Sequence, residues 1–441
     1  MANETIALIS LGCPKNQVNS EQMLCLLDDA GYRLVSEPEG ADAVIVNTCG
    51  FIDEAKSEAI DVILEMAQYK AEGLLKKIIV TGCLSQRYRE EIKTELPEVD
   101  ALVGVGSFGE IVSVVRETLD GDKLPERFGD INAPVDEVGR CLISGPGWAW
   151  LKIAEGCSNR CAFCAIPQIR GRYRSRPMEN VVAEAEALSG SGVKELILIA
   201  QDVTRYGADL YGKRSLAALC RRLSEIEGIE WIRLHYLYPD QFDDELIDEI
   251  AGNRKIVKYL DIPIQHIDDR ILKRMNRRGT GAEIRALFEK LRARIPGAVL
   301  RTSLIAGLPG EGEAEFEALC AFLREAKIER AGVFPFSPEE GTPAAAMTDR
   351  CGEEEARRRA ELIEELQGRI MDEYCDAQIG KTLRVLCTGE EGGYLTGRSY
   401  ADSPEIDGTV YFTGSALPGA FANVKITGRM DGELLGEETG A

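Results

Sequence analysis

Short runs of β-branched residues alternate with helical stretches along the first third of the chain. Each run is followed by a turn and a segment of helical character, the pattern of a parallel sheet built from strand–helix repeats. Frequent Pro, Gly and Asp between Asp120 and Pro146 predict a linker, which places the end of this α/β domain, 1–140, near residue 140. The predicted strands are IALIS (6–10), AVIVN (43–47), KIIVT (77–81) and ALVGVG (101–106).

A second series of strand candidates begins at Trp148. Six of them alternate with helical segments and predict an α/β domain over 141–375, built as an open, partial (β/α)6 barrel. Functional groups in such sheets gather at the carboxyl ends of the strands, because the loops converge there. The six candidates are WAWLKIA (148–154), ELILIA (195–200), WIRLHYL (231–237), YLDIPI (259–264), VLRTSLIA (299–306) and AGVFPF (331–336).

The last part of the chain changes character twice. Residues 353–378 carry Glu, Arg and Leu at helical spacing and predict a long connecting helix. From about Gly380 the chain is rich in Gly, Thr, Val and Tyr, with turn pairs such as EGGY and PEIDG. This pattern predicts a small all-β barrel as a third domain over 376–441.

Charge narrows the kinds of partner. The 441 residues include 52 Lys and Arg against 74 Asp and Glu, a net charge of −22, which argues against nonspecific nucleic-acid binding and favours a basic partner. No apolar run approaches the roughly 18 to 20 residues of a membrane-spanning helix. The opening MANETIALIS lacks a basic stretch followed by a long apolar one. We expect a cytoplasmic protein without membrane contact.

The strongest chemical signal is GCSNRCAFC, which places Cys157, Cys161 and Cys164 directly after the first strand of the second domain. A CxxxCxxC loop offers three thiolates that can hold an iron-sulfur cubane and leave its fourth iron without a protein ligand. Structural zinc would need a fourth ligand, but Cys141 lies beyond the strand and neither histidine is near. A redox dithiol of Cys161 and Cys164 would leave Cys157 unexplained.

A second set of cysteines is dispersed. Cys13, Cys49 and Cys83 each follow one of the first three predicted strands, and each has an adjacent glycine. Because parallel strands bring their carboxyl ends to one edge of a sheet, the three sulfurs could meet there and hold a second cluster. The alternative is three small residues buried at tight turns. Of the remaining cysteines, Cys25, Cys220 and Cys320 fit apolar helical patterns and are predicted to be core residues, whereas Cys141, Cys351, Cys375 and Cys387 have no visible partner.

These features resemble a known family. CxxxCxxC after the first strand of a six-unit α/β barrel resembles the radical S-adenosylmethionine enzymes. Three dispersed N-terminal cysteines with a terminal β-barrel, similar to the TRAM domain, resemble the methylthiotransferases among them. Strings typical of the branch that modifies an aspartate of small-subunit ribosomal protein twelve are SLGCPKNQVNSE (10–21), YLDIPIQH (259–266), FSPEEGTPAA (336–345) and RSYADSPEIDG (398–408).

The resemblance implies a mechanism and a set of partners. Cys157, Cys161 and Cys164 would hold a 4Fe-4S cluster that binds S-adenosylmethionine and generates a radical able to break an unactivated C–H bond. Cys13, Cys49 and Cys83 would hold a second 4Fe-4S cluster that carries the sulfur. The implied partners are the ribosomal protein, an electron donor of flavodoxin or ferredoxin type, and the ribosome. The segment from Asp376 onward has five basic against ten acidic residues, which suits a basic protein substrate better than tRNA.

Other residues have less specific interpretations. By resemblance, Gln201 and Asp202 after the second barrel strand and Gly307 in RTSLIAGLPGEG would contact S-adenosylmethionine; ordinary turns are the alternative. His235 and His266 near strand ends are expected to make structural hydrogen bonds. The alternating Arg170, Arg172, Arg174 and Arg176 suggest an extended segment with one arginine-bearing face that contacts the target aspartate, the cofactor carboxylate or ribosomal RNA, or else a solvated loop.

Two other functions fit parts of this pattern. One is a tRNA adenosine methylthiotransferase, which would have the same clusters and chemistry. The other is a nonenzymatic iron-sulfur sensor that binds RNA through its last domain. A sensor needs only one exposed cluster, so two cysteine triads favour an enzyme.

Overall fold

The structure, a computed structural model, describes residues 4–121 and 124–440. The chain divides into two compact units, which are described separately. The first contains residues up to Ile143 together with Ala154–Arg176 and Ser337–Ala345, and the second contains Ser144–Ile153, Pro177–Phe336 and the chain from Ala346 onward. In the described ranges, no helix is both long and apolar enough to cross a membrane.

The first unit is built on a six-stranded parallel sheet in the order β2-β1-β3-β4-β5-β6. All four predicted strands are confirmed. The two edge strands were not foreseen, since runs of three and two residues carry no periodicity, and the last of them falls inside the predicted linker. The strands are β1 (Thr5–Ser10), β2 (Arg33–Val35), β3 (Ala43–Thr48), β4 (Lys77–Gly82), β5 (Ala101–Val103) and β6 (Glu126–Arg127).

Helices cover both faces of this sheet, so its central strands are apolar on both sides. Ile45 faces a core with Met23 and Val114, whereas Val44 packs on the other face with Ile63. Strand β3 is buried along its whole length. The helices are α1 (Pro14–Asp29), α2 (Asp53–Ala71), α3 (Cys83–Arg87), α4 (Arg89–Glu95) and α5 (Ile111–Asp120).

The strand order reverses between β1 and β3. In an open α/β sheet the connections leave in opposite directions at such a point, and a crevice forms at the carboxyl ends of the two strands. Cys13 follows β1, Cys49 follows β3, and Cys83 follows the neighbouring β4. The topology therefore places all three cysteines at the edge of the sheet where ligand sites form.

Strand β7 (Trp148–Lys152) belongs to the second unit, but the segment after it belongs to the first. This segment contains β8 (Ala154–Glu155), α6 (Ile166–Arg170) and β9 (Arg174–Ser175). Strands β8 and β9 pair antiparallel and close a loop that carries the CxxxCxxC sequence. Ala165 and Ile169 of this loop pack against Cys83 of the same unit.

The second unit contains the predicted open barrel. Its six parallel strands follow the chain in order from β7 to β14, and these two strands form the open edges. All six predicted strands are confirmed. The remaining elements are α7 (Met178–Gly190), β10 (Glu195–Ile199), α8 (Leu216–Ser224), β11 (Trp231–Leu234), α9 (Asp244–Gly252), β12 (Ile256–Asp261), α10 (Asp269–Arg274), α11 (Gly281–Arg294), β13 (Val299–Ala306), α12 (Glu313–Ala326) and β14 (Arg330–Pro335).

The last elements of the second unit are the predicted long helix and the predicted small barrel. Helix α13 (Glu353–Asp376) precedes a closed five-stranded barrel in the order β15-β16-β17-β19-β18. The strands are β15 (Thr382–Glu391), β16 (Tyr394–Ser399), β17 (Val410–Thr413), β18 (Phe421–Met430) and β19 (Glu433–Glu438). The fold class is confirmed, whereas the three domain ranges 1–140, 141–375 and 376–441 stay predictions.

Buried charged groups join the closed barrel to the open sheet within the second unit. Glu195 accepts hydrogen bonds from Arg233 Nε at 2.8 Å and Arg398 Nη2 at 2.7 Å. Arg330 Nη2 donates to Asp402 Oδ1 at 2.8 Å. The string RSYADSPEIDG, which contains Arg398 and Asp402, thus forms a structural clasp on the sheet.

Candidate functional site

Three turns meet at the carboxyl edge of the first sheet. Each contains a cysteine beside a glycine, and the glycines explain how the turns approach so closely. A Cβ added to Gly12, whose φ is +86°, would lie 2.7 Å from Cys49 Cβ. A Cβ added to Gly82, at φ +98°, would lie 2.5 Å from Thr48 O. Only glycine fits both the backbone conformation and the space at these two positions.

The three thiols lie close enough to influence one another electrostatically. Cys49 and Cys83 are buried and Cys13 is half-buried. Burial, together with the neighbouring Cys13 and Cys83, raises the pKa of Cys49 to about 12. Burial also raises the pKa of Cys83. For Cys13, burial is outweighed by the charges of Lys15 and Arg170, so its pKa is lowered. The structure therefore brings the predicted N-terminal triad together.

A buried polar network holds the turns in place. Asn16 Nδ2 donates to Thr48 O at 2.9 Å and to Leu11 O at 3.1 Å, which ties the turns after β1 and β3. Asn47 Nδ2 donates to Asn16 O at 2.9 Å and to Ser20 Oγ at 2.8 Å. Sequence reasoning missed Asn16 and Asn47. The available signal was the polar start of α1, where Asn16 and Ser20 occupy buried positions usually taken by apolar residues.

Arg170, the last residue of α6, connects the CxxxCxxC loop to this network. Its side chain is buried, and Nη1 donates to both Glu155 carboxylate oxygens at 3.1 Å. Its other terminal nitrogen, Nη2, donates to Cys83 Sγ at 3.4 Å and also to Asn16 Oδ1. A cation thus lies against the sulfur of one triad while it is anchored on the loop that carries the other.

The prediction of one arginine-bearing face in this loop is wrong. Arg170 ends a helix, and Arg176 is buried in an ion pair with Glu137. Arg174 is half-buried, and only Arg172 of the four is exposed. The alternation fails because the segment passes from a helix through a turn into the short strand β9, so successive arginines point in different directions.

The CxxxCxxC loop has a fixed backbone. Cys157 N donates to Gly171 O at 3.1 Å, and Asn159 N donates to Cys157 Sγ at 3.5 Å. Gly156 has φ +74°, and a Cβ there would lie 2.1 Å from Arg172 O. Cys157, Cys161 and Cys164 are all half-buried. The three cysteines therefore lie on a loop whose backbone is fixed by hydrogen bonds and by a glycine that no other residue could replace.

Both triads have the donor chemistry of an iron-sulfur site. Each supplies three soft sulfur ligands, and each has an N–H donor to one of its sulfurs. In residues 4–121 and 124–440, no three His, Cys, Asp or Glu side chains are placed to hold a single metal ion. Structural zinc normally takes four protein ligands, whereas each triad offers three, the number that holds a cubane with one iron left open.

The predicted cofactor contacts lie in the second unit. Asp202, which is fully buried, accepts hydrogen bonds from Thr204 Oγ1 and from Arg205 Nε, the latter at 3.0 Å. Gly307 N donates to Glu311 Oε1 at 2.9 Å. Gln201 is half-buried after β10. The roles predicted for Gln201, Asp202 and Gly307 stay predictions.

Both histidines make structural contacts, as expected. His235 Nε2 lies 2.9 Å from Ser403 Oγ, beneath the clasp, and its ring stacks on Tyr259 with centroids 5.8 Å apart. His266 Nδ1 accepts a hydrogen bond from Asp268 N at 3.0 Å. Its Nε2 lies 3.3 Å from Glu311 Oε2.

The prediction for Cys25 is wrong, because it is half-buried and lies beside Cys141. Cys141 N donates to Glu21 O at 3.1 Å, one helical turn before Cys25. Burial and the neighbouring Cys141 raise the pKa of Cys25 to about 11. Cys220 and Cys320 are buried, as predicted.

Family models match three parts of the chain. Residues 5–104 match the Uncharacterized protein family UPF0004, residues 151–323 the Radical SAM superfamily and residues 379–438 the TRAM domain. The fold and the three-cysteine loop, together with these matches, define an enzyme of the radical S-adenosylmethionine class. Such an enzyme uses an iron-sulfur cluster and S-adenosylmethionine.

Sequence similarity to known proteins identifies the family within this class of enzymes. The chain is 50% identical over 98% of its length to the ribosomal protein uS12 methylthiotransferase RimO of Acetivibrio thermocellus, and the match covers 98% of that protein. It is 49% identical over 98% of its length to the RimO of Caldanaerobacter subterraneus subsp. tengcongensis, of which 99% is covered. The chain therefore belongs to the RimO family of ribosomal protein uS12 methylthiotransferases. The predicted family is confirmed, and the tRNA enzyme and the nonenzymatic sensor fall outside it.

Solved structures share the fold at low sequence identity. The radical S-adenosylmethionine methyltransferase TsrM from Kitasatospora setae, with cobalamin and a 4Fe-4S cluster bound, aligns with a TM-score of 0.57 and 15% identity. That alignment covers 78% of this chain and 77% of TsrM. The cobalamin-dependent enzyme OxsB aligns with a TM-score of 0.51 at 13% identity, over 83% of this chain and 56% of OxsB.

Proposed function

We propose that the chain attaches a methylthio group to the β-carbon of an aspartate in ribosomal protein uS12 and uses two 4Fe-4S clusters to do so. Cys157, Cys161 and Cys164 hold the cluster that binds S-adenosylmethionine. Cys13, Cys49 and Cys83 hold the second cluster. The observation that carries this proposal is the convergence of three cysteine turns at the switch point of the first sheet, in a chain that also has a CxxxCxxC loop.

The bound clusters and S-adenosylmethionine supply hydrogen abstraction from an unactivated carbon and the sulfur for transfer. The chain's own residues position these groups. Asn16 and Asn47 fix the cysteine turns, and Glu155 anchors Arg170 beside Cys83. Each triad supplies three ligands for a four-iron cluster, which leaves one iron open to a small molecule.

The negative charge of the closed barrel favours a basic substrate. Among the charged residues from Asp376 onward, Arg398, Asp402 and Asp407 are buried in the clasp. The other charged residues of this segment are four basic and eight acidic ones, with a net charge of −4. A ribosomal protein, which must bind RNA phosphates, has the complementary charge. We also propose a flavodoxin or ferredoxin as electron donor, a contact with the ribosome, and a cytoplasmic location.

Mass spectrometry of ribosomal proteins tests the substrate. Cells that lack the gene are complemented with the normal chain, with Cys13→Ala or with Cys161→Ala, and we expect a methylthio increment on one uS12 peptide only with the normal chain. Cys220→Ala, which alters a buried core cysteine outside both triads, is the matched control and should restore the increment. A uS12 peptide that never acquires the increment, while tRNA does, would contradict the proposal.

Iron analysis tests the number of clusters separately. Anaerobically reconstituted protein should contain about eight irons per chain, and removal of either triad should leave about four. A normal chain with about four irons would refute the second cluster without affecting the substrate assignment.

A further inference from the structure

A buried arginine faces a sulfur of the N-terminal triad. A guanidinium keeps its charge at any pH that proteins meet, so a buried one needs compensating groups around it. Arg170 is 2% exposed. Glu155 supplies one full negative charge, and its two carboxylate oxygens accept from Nη1. The partners of Nη2 are the Asn16 amide oxygen and Cys83 Sγ.

The Nη2 contact is directed at the sulfur. The distance of 3.4 Å between Nη2 and Cys83 Sγ is a hydrogen bond to sulfur, and it strengthens when that sulfur carries charge. Asn16 accepts from the same nitrogen and also donates to Thr48 O, next to Cys49. The guanidinium is therefore held in one orientation by groups from the sheet edge and from the CxxxCxxC loop.

We infer that Arg170 is a positioning residue of the N-terminal site: it hydrogen-bonds Cys83 Sγ and raises the reduction potential of the cluster bound there. This inference rests on the proposed second cluster. Net charge and hydrogen bonds to the sulfurs set the potential of an iron-sulfur cluster. A positive charge and an N–H donor both favour the reduced, more negative state. Glu155, on the far side of the guanidinium, opposes this effect.

The opposing charges of Arg170 and Glu155 give a test by sign. In a background of Cys157→Ala, Cys161→Ala and Cys164→Ala, only the N-terminal cluster remains for redox titration followed by electron paramagnetic resonance. Arg170→Met should shift its midpoint potential to more negative values, because a positive charge and a hydrogen bond are lost. Glu155→Gln should shift it to more positive values, because a negative charge is lost while Arg170 stays. A residue with only a packing role would not produce shifts of opposite sign.

A control and a second variant keep the test decisive. Arg176→Met removes a buried arginine that pairs with Glu137 in the same unit, and it should leave the potential unchanged. If Arg170→Met fails to assemble a cluster, the Glu155→Gln variant decides. A shift of its midpoint potential to more positive values supports the inference, and any other result contradicts it. If the two potentials do not move in opposite directions, the role of Arg170 is overturned, but the second cluster is not. If the variant that lacks the three CxxxCxxC cysteines binds no cluster, that result would instead overturn the second cluster, and this inference with it.

Discussion

A buried arginine of the first unit, Arg170, differs from the buried arginines beneath the clasp of the second unit in what its guanidinium faces. In the second unit, the clasp and the strands beneath it contain four buried arginines and four carboxyl groups, so each positive charge has a counterpart. They are Arg233, Arg301, Arg330 and Arg398 with Glu195, Asp261, Asp402 and Asp407. In the first unit, Arg170 also has a counter-charge, the Glu155 carboxylate, but its other terminal nitrogen donates to an amide oxygen and a thiol.

This difference distinguishes buried charges that hold the fold together from a buried charge that lies at the proposed cluster site. In the second unit the ion pairs join the closed barrel to the open sheet, and removal of one partner would leave a buried charge without compensation. A buried cation that faces sulfur accommodates additional negative charge, which is what a thiolate-bound cluster brings. The string RSYADSPEIDG, although typical of the family, therefore belongs to the clasp, whereas SLGCPKNQVNSE contains Cys13 and Asn16 of the proposed second cluster site.

Removal of a carboxylate from the clasp should have the largest effect on stability. Glu195→Gln leaves Arg233 and Arg398 buried without their shared counter-charge and should destabilise the second unit by about 3 to 5 kcal/mol. Thermal unfolding followed by circular dichroism measures the effect. Asp244→Asn, which removes an exposed carboxylate paired with Arg294, is the control and should leave the melting temperature unchanged. Equal melting temperatures for both variants would contradict the structural role of the clasp.

A small side chain added at the three cysteine turns should disrupt the proposed N-terminal cluster site. Gly12 and Gly31 both have positive φ, +86° and +88°, but only at Gly12 would a Cβ meet Cys49. Gly12→Ala should therefore lower the iron content from about eight toward about four per chain, whereas Gly31→Ala should retain it. The two variants incur similar backbone strain, of about 1 to 3 kcal/mol, so iron analysis isolates the contact with Cys49. Equal iron contents would contradict the proposed convergence.

Acid should weaken the clasp in a defined direction. Although burial raises the pKa of Glu195, Arg398 and Arg233 outweigh it and hold that pKa below its ordinary value of 4.5. Between the two values the unfolded chain binds more protons than the folded one, so stability is full above pH 4.5 and falls as the pH drops through the folded pKa. Each unit of pKa difference contributes about 1.4 kcal/mol. Melting temperatures measured down this pH range should fall less steeply for Glu195→Gln than for the normal chain; parallel curves would contradict the assignment.

The smallest effect is expected at two cysteines outside both triads. Cys25 and Cys141 lie beside each other, and neither belongs to the three cysteine turns or to the CxxxCxxC loop. Cys25→Ser and Cys141→Ser should retain the full iron content and the methylthio increment on uS12. Loss of iron in either variant would show that the set of cluster ligands is wrong.

Local sequence was sufficient for most of the fold. The runs of Val, Ile and Leu at 43–47 and 195–200 predict buried parallel strands because a strand covered by helices on both faces must be apolar on both faces. The same reasoning could not find β2 or β6, whose three and two residues are set by pairing with their neighbours. CxxxCxxC was recognisable because all three sulfurs lie within eight residues of one loop.

Only the tertiary structure decided which polar residues serve the site. The sequence by itself determined the four central strands of the first sheet, the six strands of the open barrel, the grouping of six cysteines into two predicted triads and the family, since these depend on local spacing and residue type. Asn16 and Arg170 are 154 residues apart, and no periodicity links them to each other or to Glu155. They meet because the sheet order reverses beside β1 and the CxxxCxxC loop packs on the same unit. Hydrogen bonds in a buried site act over about 3 Å in space, whatever the separation along the chain.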